Sequence, residues 1–167
     1  MLDGLSIRLA DISDTNRIVE IYNEAIVNRK NALLDEILLS DYQISFRNRD
    51  LKNFPILVAT INNSVVGWIS LSPYRANRKA YQNLKEVSFY IDNHFKGKGI
   101  GSLLLKYIIN ERSKFNYKSL IAILVANNQE SVYLLKKFGF SLWGCLPNVL
   151  DMDDASNDAL IYGKNFE

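Results

Sequence analysis

One cysteine, one histidine and three prolines in 167 residues exclude several chemistries before any motif is read. Cys145 alone cannot close an internal disulfide. With His94 as the single imidazole, the chain cannot assemble a His/Cys metal site of the usual ligand count, so no metal is expected. Asp151, Asp153, Asp154 and Asp158 lack the calcium-loop spacing and its terminal glutamate, and read as an acidic hairpin. Charge of one sign is scarce as well. Twenty basic residues against 18 acidic ones leave a net charge of +2 with no basic block, which argues against a nucleic-acid surface. No apolar run reaches the length of a membrane span, and Met1-Leu2-Asp3-Gly4-Leu5-Ser6 lacks the basic and apolar regions of a secretory leader. The expectation is a cytoplasmic chain, in a reducing compartment, with no membrane or nucleic-acid partner. What is plentiful is apolar content. At 48% hydrophobic, the chain is long enough for one well-packed domain over residues 1–167 and short for two.

Only eight glycines are present, yet three of them fall in Lys96-Gly97-Lys98-Gly99-Ile100-Gly101-Ser102. This stretch follows an apolar strand pattern, Glu86 to Ile91, and enters a helix pattern in which Ile100, Leu104 and Ile108 form one stripe. Alternate glycines let the backbone N–H groups point into one concavity, and a helix N-terminus adds its positive dipole end. Lys96 and Lys98 add charge. A plain surface turn needs fewer glycines, so the pattern predicts an anion site, and a phosphate above all. The dinucleotide loop G-x-G-x-x-G would need glycine where Ser102 stands, and no G-x-x-x-x-G-K-[ST] occurs, so NAD and ATP are poor candidates.

Elsewhere the pattern reads as alternating elements. Ser6 to Leu9 predicts a strand. Ser13-Asp14 then caps a helix whose apolar positions Ile18, Ile21, Tyr22, Ala25 and Ile26 recur at three and four. Asn28 to Leu39 lacks periodicity, and Ser40-Asp41 caps a shorter helix. Ile56–Ile61 and Val65–Leu71 predict a hairpin turned on Asn62-Asn63. Pro73 to Asn83 is a polar loop, a candidate lid, carrying Tyr74, Arg75, Arg78 and Tyr81. Leu120 to Val125 predicts a centrally buried strand, Asn127-Asn128 a helix cap, Gly139 a helix stop, and Phe140–Leu146 with Ala159–Ile161 the closing strands.

Lys96 to Gly101 resembles the (Arg/Gln)-x-x-Gly-x-(Gly/Ala) loop of the GNAT superfamily of N-acetyltransferases, with Lys96 in the first position. The element order matches that fold across essentially the whole chain: an α/β protein with a mixed sheet, β-α-α-β-β-β-α-β-α-β-β. Ile21-Tyr22-Asn23, Ala80-Tyr81, Glu86, Asn128-x-x-Ser131, Phe138-Gly139-Phe140 and Leu146-Pro147-x-Val149 are similar to the branch of phosphinothricin acetyltransferase-like enzymes. The resemblance implies acetyl-CoA as acetyl donor and a small-molecule amine as acceptor, an amino acid or analogue of the phosphinothricin or methionine sulfoximine type. It also implies a homodimer, which the family often forms. Peptide N-acetylation and coenzyme A binding without turnover are the competing readings.

Acetyl transfer needs a bound thioester, a neutral amine, a donor for the developing oxyanion and a proton for the leaving thiolate. The resemblance implies that the diphosphate lies on Lys96, Gly97, Lys98, Gly99, Ile100, Gly101 and Ser102. The pantetheine then lies along Phe89, Tyr90 and Ile91, where a backbone N–H faces the thioester carbonyl. Asn128 and Ser131 would touch the cofactor, though both are also ordinary helix-capping residues. Glu86 is the implied catalytic base. On residues alone it reads rather as a solvated strand-edge glutamate paired with Lys85 or Lys79. A lysine-like amine costs roughly 4.6 kcal/mol to neutralise at pH 7 and an α-amino group about 1.4, so a modest base suffices for an amino acid. Tyr22, Tyr74, Arg75, Arg78 and Tyr81 are the candidate acceptor-binding set, rings with cations suited to a carboxylate or phosphinate. Leu135 stands where the family often has Tyr or His as general acid, and Tyr133 lies on the other helix face. Trp68 and Trp143 are expected to pack in the core or an interface with satisfied indole N–H groups, Cys145 to be buried, and His94 to be exposed.

Overall fold

Seven strands, β1 (Leu5–Leu9), β2 (Ile56–Ile61), β3 (Ser64–Pro73), β4 (Leu84–Ile91), β5 (Ser119–Val125), β6 (Ser141–Leu146) and β7 (Ala159–Asn165), form one sheet in the order β1-β2-β3-β4-β5-β7-β6. The computed structural model describes residues 4–152 and 157–166. Met1–Asp3 of the leader reading and Asp153 and Asp154 of the expected acidic hairpin lie outside the described residues. Neighbouring strands are antiparallel except β4 and β5, which run parallel. The helices are α1 (Thr15–Val27), α2 (Leu39–Arg47), α3 (Ile100–Asn110), the single turn α4 (Arg112–Phe115) and α5 (Gln129–Lys137). The expected order is found, with α4 and three short 3-10 turns added.

The alternation along β2 shows how one sheet carries two cores. Ile56 and Val58 face α1 and α2, joining Ile18, Ile21, Phe46 and Trp68. Leu57 and Ala59 face the other way, joining Ile100, Leu104, Leu105 and Ile108 of α3 and Leu135 of α5. A bulge opposite Ala59 and Thr60 shifts the phase of β3, so that Val65 and Trp68 share a face. Asn62 and Asn63 take φ of 48° and 63°, the primed turn that the hairpin requires.

Several local expectations are corrected. Asp14 holds the N-cap position of α1 but makes no cap bond to it; Asp11 caps the 3-10 turn Ile12–Asp14 by accepting from Ser13 N, while the Asp14 carboxylate accepts from Asp11 N and binds Arg8 with both oxygens at 2.6 and 2.9 Å. Neither Ser40 nor Asp41 caps α2, which starts at Leu39 after an uncapped Leu38. β5 is not buried throughout, since Ile123 is 43% exposed. Cys145 is exposed because β6 is an outer strand, paired only with β7 and open on its faces. Trp143, 43% exposed, lies over Gly163, where a Cβ would come within 2.1 Å of the indole. Trp68 is buried as expected, but its Nε1 has no hydrogen-bond partner; the ring packs against Tyr22, near-perpendicular at 5.3 Å between centroids, and Tyr90, tilted at 4.7 Å.

Candidate active site

The parallel pair is short. Its register runs from Leu84↔Ser119 to Glu86↔Ile121, and beyond Glu86 the two strands have no paired residues. Asp92 N donates to Val66 O at 3.1 Å, toward β3. Peptide groups alternate in direction along a strand, so those of Phe89 and Ile91 point the other way, into the gap that β5 has left. The side chains alternate as well: Phe89 and Ile91 pack with the α3 core, and Tyr90 with the α1 core. Glu86 thus sits at the fork itself, on the last rung of the ladder.

On one side of the fork lies a cavity of about 690 Å³. Its walls bring together Phe89, Tyr90, Ile91, Lys96, Gly97, Gly99, Ile100, Gly101, Ser102, Asn128 and Ser131, eleven of the twelve positions expected to hold the cofactor. Lys98 is the exception: its ammonium packs on the Phe95 ring, 4.7 Å from the centroid, and it is not part of the wall. Gly97 and Gly99 have φ of 73° and 83°, and a Cβ at either would meet nothing within 4 Å. These glycines therefore serve the backbone conformation, and the space in front of them is open. α3 starts there with the unpaired N–H groups of its first turn, so the residues present fit a diphosphate. Gly101 answers a different demand, since its Cβ would lie 3.0 Å from Leu134 of α5.

The loop is anchored from behind. Asp92 is buried, and its carboxylate takes His94 N at 2.8 Å, His94 Nδ1 at 3.1 Å and the guanidinium of Arg17 on α1. Burial alone would push that carboxyl up. The hydrogen bonds from His94 and the charge of Arg17 outweigh it and hold the group below the usual carboxylate range. The His94 ring itself is exposed, as expected.

On the other side of the fork a second cavity, of about 370 Å³, is lined by Tyr22, Lys30, Asn31, Ala32, Leu33, Glu86, Ser88, Ile123, Leu135, Leu150 and Ala159 among others. The exposure of Ile123 follows from this opening. Glu86 has no ion pair among the described residues, and burial raises its carboxyl above the ordinary value. Lys85 cannot serve it, since adjacent strand residues face opposite ways and its ammonium donates to the carbonyls of Asn53 and Phe115. Tyr90 packs between Tyr22 and Trp68, with centroids 4.6 and 4.7 Å away, and its hydroxyl accepts from Asn31 Nδ2 at 2.5 Å. Burial and the neighbouring Tyr22 raise the phenol well above its ordinary value, so it stays protonated.

Of the five residues expected to bind the acceptor, only Tyr22 reaches this cavity. Tyr74, Arg75, Arg78 and Tyr81 line neither cavity. Their loop folds on itself instead, with Tyr74 edge-on to Tyr81 at 5.4 Å and Arg75 5.8 Å from the Tyr74 ring. Lys30, Phe89, Tyr90, Asn128 and Ser131 line both cavities, and this shared border is the neck of the site. Asn128 is a cap after all: its Oδ1 accepts from Ser131 N at 3.2 Å, while its Nδ2 donates to Lys30 O at 3.1 Å. Lys30 and Asn31 come from the aperiodic stretch after α1, where only a three-dimensional contact could have marked them. Leu135 faces the smaller cavity and Tyr133 the larger, as their spacing along the helix requires.

The comparisons with known proteins agree with this architecture. The family model described as the acetyltransferase (GNAT) family matches residues 16–140. YwnH of Bacillus subtilis is 32% identical over 96% of this chain and 98% of its own length. The L-amino acid N-acyltransferase MnaT of Escherichia coli is 31% identical over 87% of this chain and 84% of its own. The crystal structure of a GNAT superfamily phosphinothricin acetyltransferase from Sinorhizobium meliloti, in complex with acetyl-CoA, superposes with a TM-score of 0.89 at 25% identity, covering 97% of this chain and 88% of that one. The forked sheet, the glycine loop at its mouth and these likenesses lead to one assignment: the chain belongs to the GNAT family of acetyltransferases.

Proposed function

We propose that this chain, acting as one domain over residues 1–167, transfers the acetyl group of acetyl-CoA directly to the amino group of a small amino acid or analogue, of the phosphinothricin or methionine sulfoximine type. The observation that carries this reading is the pair of cavities that share one border, with a half-buried carboxylate that has no ion pair among the described residues on one side and a glycine-rich turn open to the other. Lys96, the Gly97 to Ser102 backbone, Phe89, Ile91 and Ser131 would hold the coenzyme, which supplies an activated acetyl thioester when bound. The N–H of Phe89 or Ile91 in the gap is the donor for the developing oxyanion. Glu86 receives the proton of the attacking amine, directly or through one water, and its raised affinity for protons suits an α-amino group near pH 8. Leu135 leaves no side-chain acid at the family's usual position, so the leaving sulfur takes its proton from water or departs as the thiolate. The names of MnaT and the Sinorhizobium enzyme support an amino acid or a close analogue as acceptor. A cytoplasmic location fits the single, unpaired Cys145, and a homodimer fits the apolar outer strand β6 with Leu142, Trp143 and Leu146 exposed.

Thiol release from acetyl-CoA across a panel of amines tests the reading. Turnover of small amino acids without turnover of peptides is the expected result. Peptide turnover, or coenzyme A binding with no turnover of any amine, overturns it. Titration calorimetry with coenzyme A tests the cradle alone, and no heat together with no rise in melting temperature would remove the cofactor assignment.

A further inference from the structure

An α-amino acid carries its carboxylate carbon only about 2.5 Å from the nucleophilic nitrogen, the span of two bonds across Cα. When that nitrogen attacks at the neck, the carboxylate is at the neck too. A cation that receives it must therefore border the neck, and no arginine on the Pro73–Asn83 loop does so. Lys30 does. It is the only cation lining the acceptor cavity among the described residues, and it borders the cofactor cavity as well.

The position of Lys30 is built rather than incidental. Its carbonyl accepts from Asn128 Nδ2, and its ammonium donates to Asn127 O at 3.1 Å, which fixes the side chain at the start of α5. The next residue, Asn31, is tied to Tyr90, and Asn23 holds the far end of the segment by exchanging hydrogen bonds with Ile37 N and O at 2.8 and 3.1 Å. An ammonium has three donors, and one carbonyl uses one of them. Lys30 has no ion pair among the described residues. The rest of the cavity wall offers Glu86 for the amine and Leu33, Ile123, Leu135, Leu150 and Ala159 for an uncharged side chain.

We infer that Lys30 is the residue that receives the α-carboxylate of the acceptor and so selects amino acids over simple amines. This rests on the proposed amino-acid acetylation. Lys30→Gln keeps a donor for Asn127 O and removes the charge, and Lys30→Arg keeps the charge. Specificity is measured as the ratio of kcat/KM for L-methionine to that for L-methionine amide, which has no carboxylate. Comparing this ratio between variants cancels the difference in amine basicity. The ratio should fall about 10- to 100-fold in Lys30→Gln, the range of a lost charge-assisted hydrogen bond, and recover largely in Lys30→Arg. Product inhibition of the wild-type enzyme gives a second readout that does not depend on how a variant folds. N-acetyl-L-methionine should compete with the acceptor at least tenfold more strongly than N-acetyl-L-methionine amide. An unchanged specificity ratio, a loss appearing in the KM for acetyl-CoA instead, or equal inhibition by the two products would overturn the role of Lys30 while leaving acetyl transfer intact. Failure of the wild type to use any amino acid, with amides and other amines turned over, would overturn the amino-acid reading and the role of Lys30 together.

Discussion

Arg17 on α1 and Asp92 at the end of β4 form an ion pair 75 residues apart in sequence, and the carboxylate that closes it also caps the turn leading into the glycine loop. Asp92 accepts from His94 N at the start of the Asn93–Phe95 turn, so the orientation of Lys96 to Gly101 is inherited from α1 through one buried carboxylate. Asp92→Ala would remove the cap and leave Arg17 without its carboxylate. A loss of roughly 2–4 kcal/mol in stability is expected from the cap and the broken pair together. The KM for acetyl-CoA should rise more than kcat falls, because the reacting groups at the fork are untouched. Urea titration and steady-state kinetics check both. Since this carboxyl is held below its ordinary range, its contribution is present above the unfolded carboxylate range and is lost as pH falls through the lowered value. The difference between wild type and variant should therefore shrink toward strongly acid pH.

The glycines of the loop separate two causes. Gly99→Ala forces an L side chain to φ of 83° although nothing stands within 4 Å of the new methyl, so the cost is conformational, about 1–2 kcal/mol. Any relief by rotation of the backbone turns the N–H groups away from the anion. Coenzyme A binding should weaken at least tenfold by calorimetry with only a modest drop in melting temperature. A variant that binds coenzyme A normally would show that those amides do not face the ligand.

How much of this was legible in the sequence follows the range of the interactions involved. The turn at Gly97 and Gly99 could be read because it is local: strand, turn and helix start lie within twenty residues, whereas the demand on Gly101 comes from Leu134 of α5, more than thirty residues on. Asn62-Asn63 and Asn128 were legible for the same reason, as a turn and a cap. Lys30 and Asn31 were not, because their partners Asn127, Asn128 and Tyr90 lie 59 to 98 residues away. Arg75 and Arg78 were read from composition, as arginine beside tyrosine suits an anion; the fold packs Tyr74 on Tyr81 and leaves both arginines outside the two cavities, which no local pattern encodes. Leu120 to Val125 misled by hydrophobicity. An unbroken apolar strand can be buried in a sheet or can wall an apolar cavity, and β5 does one and then the other.

Glu86 joins activity and stability with opposite signs. Its carboxyl is raised by burial, so the folded state holds the proton more tightly than the unfolded chain. Stability therefore falls as pH rises from the unfolded carboxylate range through the raised value. Glu86→Gln should melt at or above the wild-type temperature at pH 8, with the two converging below about pH 4. Its kcat should drop by about 100-fold or more, most severely at pH values above the raised carboxyl and below the amine's own pKa, where wild-type Glu86 is ionised and little of the amine is already neutral. A loss of activity accompanied by a loss of stability at pH 8 would instead mark Glu86 as a structural residue.

Leu135 belongs to two structures at once, the α3/α5 core and the wall of the smaller cavity, proposed above as the acceptor's, and only 1% of it is exposed. Leu135→Ala should cost about 2–4 kcal/mol through lost burial and the space left behind. For a chain of this length that corresponds to a fall of roughly 4–16 °C in melting temperature. The space removed from the core opens into the acceptor cavity, because the side chain is the partition between them. The variant should therefore gain relative kcat/KM for larger apolar amino acids over smaller ones, while its KM for acetyl-CoA stays near wild type, since the cofactor cavity is walled by Leu134 and Tyr133 of the same helix. Melting curves and a side-chain series from L-alanine to L-phenylalanine check the two effects independently. Destabilisation without any change in acceptor preference would place the acceptor elsewhere than between Leu135 and Glu86.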